Sequence, residues 1–408
     1  PIRLPGGFAA APSLLAFGGE LKATFCLLGD GRATLSQHLG DLEDARTFAD
    51  FRRMLRLYAE LFDHVPEALA ADEHPEYLSA KLARERAATE GLRLIEVQHH
   101  HAHVASCLAE NHYPIAAPPV LGIVLDGLGW GDDGTIWGGE FLIADYRRYE
   151  RLGCFKPVPM PGGVQAVREP WRNLYAHIAT GIGWAGLEED FSETEVYSKL
   201  APRSRAVLDA MIGRGVNAPL ASSCGRLFDA VAAALGLCCE RQAYEGHAAS
   251  MLEAVVDEAA LCEESEALAY SFDIVEAKDM PILDPAPMWN ALLADLSRKT
   301  PRPVIAARFH KGLAQAIVVM AARLRGTADR PRFETVALSG GCLQNKVLFE
   351  EVLRRLKDQD FSVLAHEEIP ANDGGLALGQ AAVAAARLIA EGEEERTRQC
   401  ASAFPAAS

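Results

Sequence analysis

The chain has 408 residues, 49% hydrophobic and 24% charged, with a formal net charge of −16. That charge argues against a broad nucleic-acid footprint, which is built from Lys and Arg, and no apolar run of about 18 residues is present to span a membrane. The nine cysteines are scattered with no C-x-x-C pair, which speaks against a structural zinc finger and for reduced thiols in the cytoplasm.

The opening PIRLPGGFAAAPSLLAFGG has neither the basic region nor the continuous apolar core of a secretory signal. LLAFGGELKATFCLLGDGRATLSQ (14–37) reads as strand, Gly-Gly, strand, a GDG turn and a third strand. FADFRRMLRLYAELF follows with apolar residues at a 3.6-residue period, the pattern of a packed amphipathic helix. RLIEVQ (93–98) predicts a strand running into histidines, and HAHVASCLAENH then takes up helical spacing. VLGIVLDGLGWGDDGTIWGGEFLIADY (120–146) repeats the first plan: a strand, a Gly-rich turn carrying Asp126, and a long strand from about Thr135. FETVALSGG (333–341) predicts a strand entering a Gly-rich turn, followed by a helix over CLQNKVLFEEVLRRLKD and a strand at FSVLAHE. IPANDGGLALGQAAVAAARLIAE predicts a turn and an Ala-rich helix, and 393–408 a loose polar tail. Strands alternating with helices indicate an α/β protein.

Four of the twelve histidines fall within five residues, in VQHHHAHVASCLAE. On a helix, positions i and i+4 share a face. His99 and His103 have that spacing, and His100 with His103 is the i, i+3 alternative. H-x-x-x-H is how one helix offers two imidazoles to one metal, though a capping or core role suits any single histidine. Oxygen ligands are then needed. Asp126, at the end of the buried strand LGIVLD, and Asp373, in PANDGG, are the candidates; each alone would also serve as a turn-former or helix cap. A His₂Asp₂ set with open positions suits iron or zinc better than magnesium. Four Gly-rich turns, GLGWGDDG, GG (138–139), SGG and DGG, two of them adjoining these carboxylates, would let backbone amides approach phosphate oxygens. Asp229 lies in an otherwise apolar helix and Glu245 in YEGHAA; the pair suits ribose hydroxyls, or equally a charged helix end or core ion pair.

QHHHAH, VLDGLGWGDDGTIWGGEF, PGG…EPWR, GRLFDAVAAALGL…YEG, ALSGGCLQN and IPANDGGLALGQ together resemble the C-terminal carbamoyltransferase domain of the HypF family, over about 18–390. The related TsaD-type tRNA threonylcarbamoyl transferases share the H-x-x-x-H and the late Asp-Gly, but not GTIWGGEF. The resemblance implies an actin/hexokinase-like α/β fold, with a first lobe at 12–146, a second at 147–392 and a last helix able to pack back on the first. It implies a mononuclear metal, iron or zinc, on His99, His103, Asp126 and Asp373. His100 and His101 are expected to support that metal or face phosphate. ATP or carbamoyl-adenylate is expected at Gly127, Gly129, Asp229, Glu245, Gly340, Gly341 and Asn345, with Lys22 and His310 near the cleft.

The implied reaction moves a carbamoyl group, derived from carbamoyl phosphate and ATP, to the C-terminal cysteine of HypE, for the cyanide ligands of nickel–iron hydrogenase. Full-length family members also carry acylphosphatase-like, zinc-finger and YrdC-like modules, which these residues do not include, so a YrdC-like supply in trans is implied. The remaining readings are a tRNA threonylcarbamoyl transferase, a sugar or acid kinase of the same fold, and a non-catalytic scaffold for HypE. A kinase relying on Asp and Mg²⁺ has no reason to cluster histidines, and the scaffold reading predicts that His99→Ala leaves maturation intact.

Overall fold

Strict alternation of apolar side chains builds the first sheet with both faces covered. In the computed structural model, which describes residues 1–277, 280–325 and 333–403, this sheet contains β1 (Ile2–Arg3), β2 (Leu14–Ala16), β3 (Cys26–Gly29), β4 (Arg32–Leu35), β5 (Ala68–Asp72) and β6 (Arg93–Val97). Their order is β1-β4-β3-β2-β5-β6, with β2, β5 and β6 parallel and the rest antiparallel. Leu15, Leu27, Leu69 and Ala71 point to one face, where α1 (Ala45–Leu61) and α2 (Leu78–Glu90) bring Phe51, Leu55, Ala80 and Ala83. The intervening Leu14, Ala16, Leu28 and Ala70 point to the other, as a two-residue period requires. There they meet α3 (His99–Glu110) and the last helix. Asp44 caps α1 by accepting the Arg46 and Thr47 amides.

The second sheet repeats that plan. β7 (Val120–Trp130), β8 (Ile136–Ala144) and β9 (Tyr149–Phe155) form an antiparallel meander, extended by β10 (Val158–Pro159), β11 (Leu220–Ala221), β12 (Asp273–Ala277) and β13 (Met280–Asp284). β14 (Thr335–Ser339) and β15 (Ser362–Leu364) add parallel to β7. The five-strand orders β4-β3-β2-β5-β6 and β9-β8-β7-β14-β15 are therefore the same arrangement, a duplicated α/β unit of the actin/hexokinase-like kind. Leu121, Ile123, Leu125, Phe141 and Leu338 face the larger core, with α4 (Cys224–Ala234), α5 (Arg302–Arg325) and α6 (Lys346–Asp358). Val124, Leu142 and Ala337 face α3 and α7 (Leu376–Ala403). The two helices thus lie between the sheets, and α7, though last in sequence, packs on β2 and α3.

Several expectations are corrected. The sheets part between β6 and β7, not at 146/147, because β7 and β8 pair with β9 and β14. Asp126 does not leave a strand for a turn. β7 runs on to Trp130 through a register shift between Leu125 and Gly129, and this bulge turns the carboxylate toward the cleft. The helix expected from Cys342 is a short 3₁₀ turn to Gln344, and α6 begins only after Asn345, whose side chain caps it. The tail is not loose, since α7 continues through residues 393–403; the last five residues lie outside those described. α5 is long and apolar enough to cross a membrane, yet 78% of its apolar window is buried within the protein.

Candidate metal and nucleotide site

Three segments that are distant in sequence end together at the mouth between the sheets. α3 starts directly after β6 because Gln98, in extended conformation, caps it by accepting the His101 amide at 2.9 Å. That start fixes His99 and His103 on one face. The β7 bulge contributes Asp126, and the turn before α7 contributes Asp373, whose neighbour Asn372 caps the turn. His99 Nε2 lies 3.4 Å from Asp126 Oδ2 and 3.7 Å from Asp373 Oδ1, and His103 Nε2 lies 3.5 and 3.6 Å from the same atoms. One ligand atom from each of the four falls within 4.8 Å of the others.

A divalent ion fits these residues. Ligands at zinc-like bond lengths of 2.0–2.1 Å in tetrahedral array stand about 3.3 Å apart, so the four His–Asp separations need only slight contraction. His103 Nε2 is buried without a hydrogen-bond partner, which is costly unless something occupies the space before it. Electrostatics make the same demand. Burial opposes charge on both imidazoles, but Asp72 and Asp126 raise His99 well above the usual histidine range, and Asp126 with Asp373 raises His103. Burial pushes the Asp126 carboxyl up, and the two histidines outweigh it, leaving it well below the usual carboxylate range. Buried carboxylates here require positive charge, and a cation bound by neutral imidazoles answers that requirement.

The surroundings hold the four in place. His99 Nδ1 donates to the buried Asp72 at 2.8 Å, leaving Nε2 to face the carboxylates. Asp126 Oδ1 accepts the Gly341 amide at 2.9 Å. Gly340 makes that possible: its φ is +103°, and a Cβ would stand 2.3 Å from the Leu125 carbonyl oxygen. Gly129 brings β7 against the histidines, since a Cβ there would lie 2.4 Å from His100 Cε1.

Asp126 and Asp373 line a cleft of about 810 Å³ together with Lys22, Tyr77, Gly127, Gly129, Asp229, Glu245, Gly341 and Asn345, with His99 and His103 buried behind the two carboxylates. Lys22 Nζ pairs with Glu245 at 2.8 Å. Asp229 is fully buried with Oδ1 unpartnered, and Oδ2 lies 2.7 Å from Arg226 Nε. Burial raises its carboxyl to about 6, with Arg226 opposing and Glu245 adding to the shift.

Other expected residues are placed differently. His100 and His101 are buried and outside the cleft lining, as His99 and His103 are, but adjacent helical residues are turned about 100° apart and neither joins the four-residue cluster. His101 Nε2 reaches the Asp145 carbonyl at 2.7 Å, and His100 packs near Trp137. His310 lies behind the cleft, where Nε2 accepts from Asn345 Nδ2 at 3.0 Å. Asn345 lines the cleft, but its side chain is occupied by His310 and by the Leu348 amide. The Gly341 amide is likewise held by Asp126. Asp72 went unremarked in the sequence, although it ends the apolar strand ALAAD as Asp126 follows LGIVL. His366, Ser339 and Glu110 also went unremarked; nothing in their local sequence marks them.

The family described as "HypF Kae1-like domain" matches residues 9–110, and "Carbamoyltransferase, Kae1-like Domain, second subdomain" matches 122–380. The chain is 44% identical over 392 residues to the carbamoyltransferase HypF of Rhodobacter capsulatus, covering 95% of this chain and 48% of that protein. It is 37% identical to a carbamoyltransferase HypF homolog of Cupriavidus necator, covering 94% of this chain and 93% of the relative. It therefore spans about half the length of most curated relatives it matches, and nearly all of that one. A crystal structure of full-length HypF in a phosphate- and nucleotide-bound form superposes with a TM-score of 0.82 at 33% identity, over 94% of this chain and 47% of that one.

Proposed function

Since the chain belongs to the HypF carbamoyltransferase family, we propose that its cleft transfers a carbamoyl group from carbamoyl-adenylate to the C-terminal cysteine thiolate of HypE. The carbamoyl group would come from carbamoyl phosphate and ATP, and the product would serve the cyanide ligands of nickel–iron hydrogenase. The observation that carries the reading is the convergence of His99 and His103 on Asp126 and Asp373, two carboxylates in the wall of a cleft that also presents Asp229 and Glu245. Iron or zinc held by those four residues supplies Lewis acidity toward a carbonyl or phosphoryl oxygen.

The chain's own residues orient the reactants. Asp229 Oδ1, buried and unpartnered, is an acceptor for a ribose hydroxyl. Glu245 offers a second carboxylate once it turns from Lys22, and the freed ammonium then faces the phosphate. Gly127 and Gly129 keep the floor of the cleft low enough for the nucleotide to lie across the β7 bulge. Cys342 also lines the cleft, but contact with Cys224, and burial, raise its thiol far above the usual range, so it is a poor nucleophile. The acceptor thiolate therefore comes from the partner. The adenylate reaches this cleft from a YrdC-like module, in the same polypeptide or in trans. A free acceptor thiol requires a reducing compartment, the cytoplasm; the described cysteines are all free.

The test is intact-mass analysis of HypE after incubation with the metal-loaded chain, carbamoyl phosphate, ATP and a YrdC-like enzyme. Modification at the HypE C-terminus that is lost with His99→Ala supports the reading. Modification that survives His99→Ala, or a chain that leaves HypE unmodified while a longer relative modifies it, refutes it.

A further inference from the structure

The two histidines of the site are held by different means. His99 Nδ1 meets a buried carboxylate, Asp72, at 2.8 Å. His103 Nδ1 instead meets the Ser339 hydroxyl at 3.4 Å. Ser339 Oγ lies 2.9 Å from His366 Nε2, and His366 Nδ1 lies 2.7 Å from Glu110 Oε2. All four members are nearly enclosed: Ser339 is fully buried, and the side chains of His366 and Glu110 are 4% and 9% exposed.

The direction of this chain follows from its far end. An ionised carboxylate only accepts, so His366 must donate from Nδ1. In the Nδ1–H tautomer this selects, Nε2 of His366 is an acceptor, to which the Ser339 hydroxyl donates. With its hydrogen so committed, Ser339 Oγ accepts from His103 Nδ1. Ionisation of Glu110 is assured by its partners. Burial would raise its carboxyl, but His366 and the amides of Glu367, Glu368 and Ile369 bring it down to about 2.

Glu110 is also the last residue of α3, where a negative charge opposes the helix dipole. Such a breach of a local rule marks a position held by something other than helix stability. The same carboxylate binds the segment that leads within four residues to Asp373. One side chain thus braces two of the four ligands, one through each oxygen.

We propose that Ser339, His366 and Glu110 form a directional relay of positioning residues, which keeps the His103 proton on Nδ1 and so presents Nε2 to the metal. This rests on the metal assignment made above. None of the three lines the cleft, so the relay acts only through His103 and the Asp373 segment.

The test is zinc affinity of the metal-free full chain, measured by competition with a chromophoric chelator, alongside the metal-free unfolding midpoint. Ser339→Ala and His366→Leu each remove a link. Ser339→Thr keeps a hydroxyl, and His366→Gln can still accept at Oε1 and donate at Nε2. The relay requires affinity about 10- to 100-fold weaker in the first pair and close to the parent's in the second, with unfolding midpoints near the parent's. Should Ser339→Ala fail to fold, the two His366 variants carry the comparison. Equal affinity in parent, Ser339→Ala and His366→Leu overturns the relay, and so does equal loss in broken and conserved variants, which would make these residues packing groups. A parent that binds no zinc overturns the metal assignment itself, an outcome distinct from a parent that binds while broken links cost nothing.

Discussion

The Lys22 ammonium stands 2.8 Å from the Glu245 carboxylate, joining the turn after β2 to the segment after α4 across the cleft. Asp373 and Asp126 add to the negative field on the same ammonium, and together with Glu245 they raise it above the usual lysine range against the effect of burial. Both side chains are about one-third exposed, so the pair contributes at most about 1 kcal/mol to folding. Lys22→Ala should therefore leave the denaturation midpoint nearly unchanged. It removes a positive charge from the cleft, however, so ATP should bind about tenfold more weakly by calorimetry. Unaltered ATP affinity would remove Lys22 from the site.

Asp229 should make stability depend on pH in a particular direction. Its carboxyl titrates at about 6 in the folded chain, against about 3.9 when unfolded. The folded state then keeps a proton that the unfolded state has released, so the contribution is full below about 4 and lost as pH rises through 6. Asp229→Asn is neutral throughout. Between pH 4 and 7 its stability relative to the parent should rise by about 3 kcal/mol, read from urea denaturation at each pH. A pH-independent difference would show that Arg226 keeps the carboxylate ionised.

Gly340→Ala should be among the more damaging small substitutions. Its φ of +103° and the 2.3 Å approach of the Leu125 carbonyl leave no room for a methyl group. The expected loss is about 3 kcal/mol or more. A shift of the Gly341 amide from Asp126 should weaken zinc binding as well. A variant with parental stability and zinc affinity would show that the turn relaxes freely.

Much of the fold was legible because it rests on periodicity. The two stretches with one plan, 14–37 and 120–146, begin two sheets of one topology, and alternation within LLA and ALAAD sets their faces. The lobe boundary was missed because pairing of β7 with β14 links positions over 200 residues apart, which no local pattern records. In the site, His99 and His103 were readable from helical spacing. The histidines between them were expected to support the metal or face phosphate; His100 packs beside the His99 ring and Trp137, and His101 reaches the Asp145 carbonyl. Asn345 and Gly341 were expected at the nucleotide from the family resemblance, and the structure engages the first in a helix cap and the second in holding Asp126. Glu110, Ser339 and His366 meet only through tertiary packing, from the end of α3, the end of β14 and the segment after β15.

The central claim is that His99, His103, Asp126 and Asp373 hold one metal ion. It is tested most directly by elemental analysis of the chain purified without added metal, beside the His99→Ala/His103→Ala double variant. The account requires near-stoichiometric iron or zinc in the parent and its loss from a folded double variant. Equal metal content in the two proteins would contradict it.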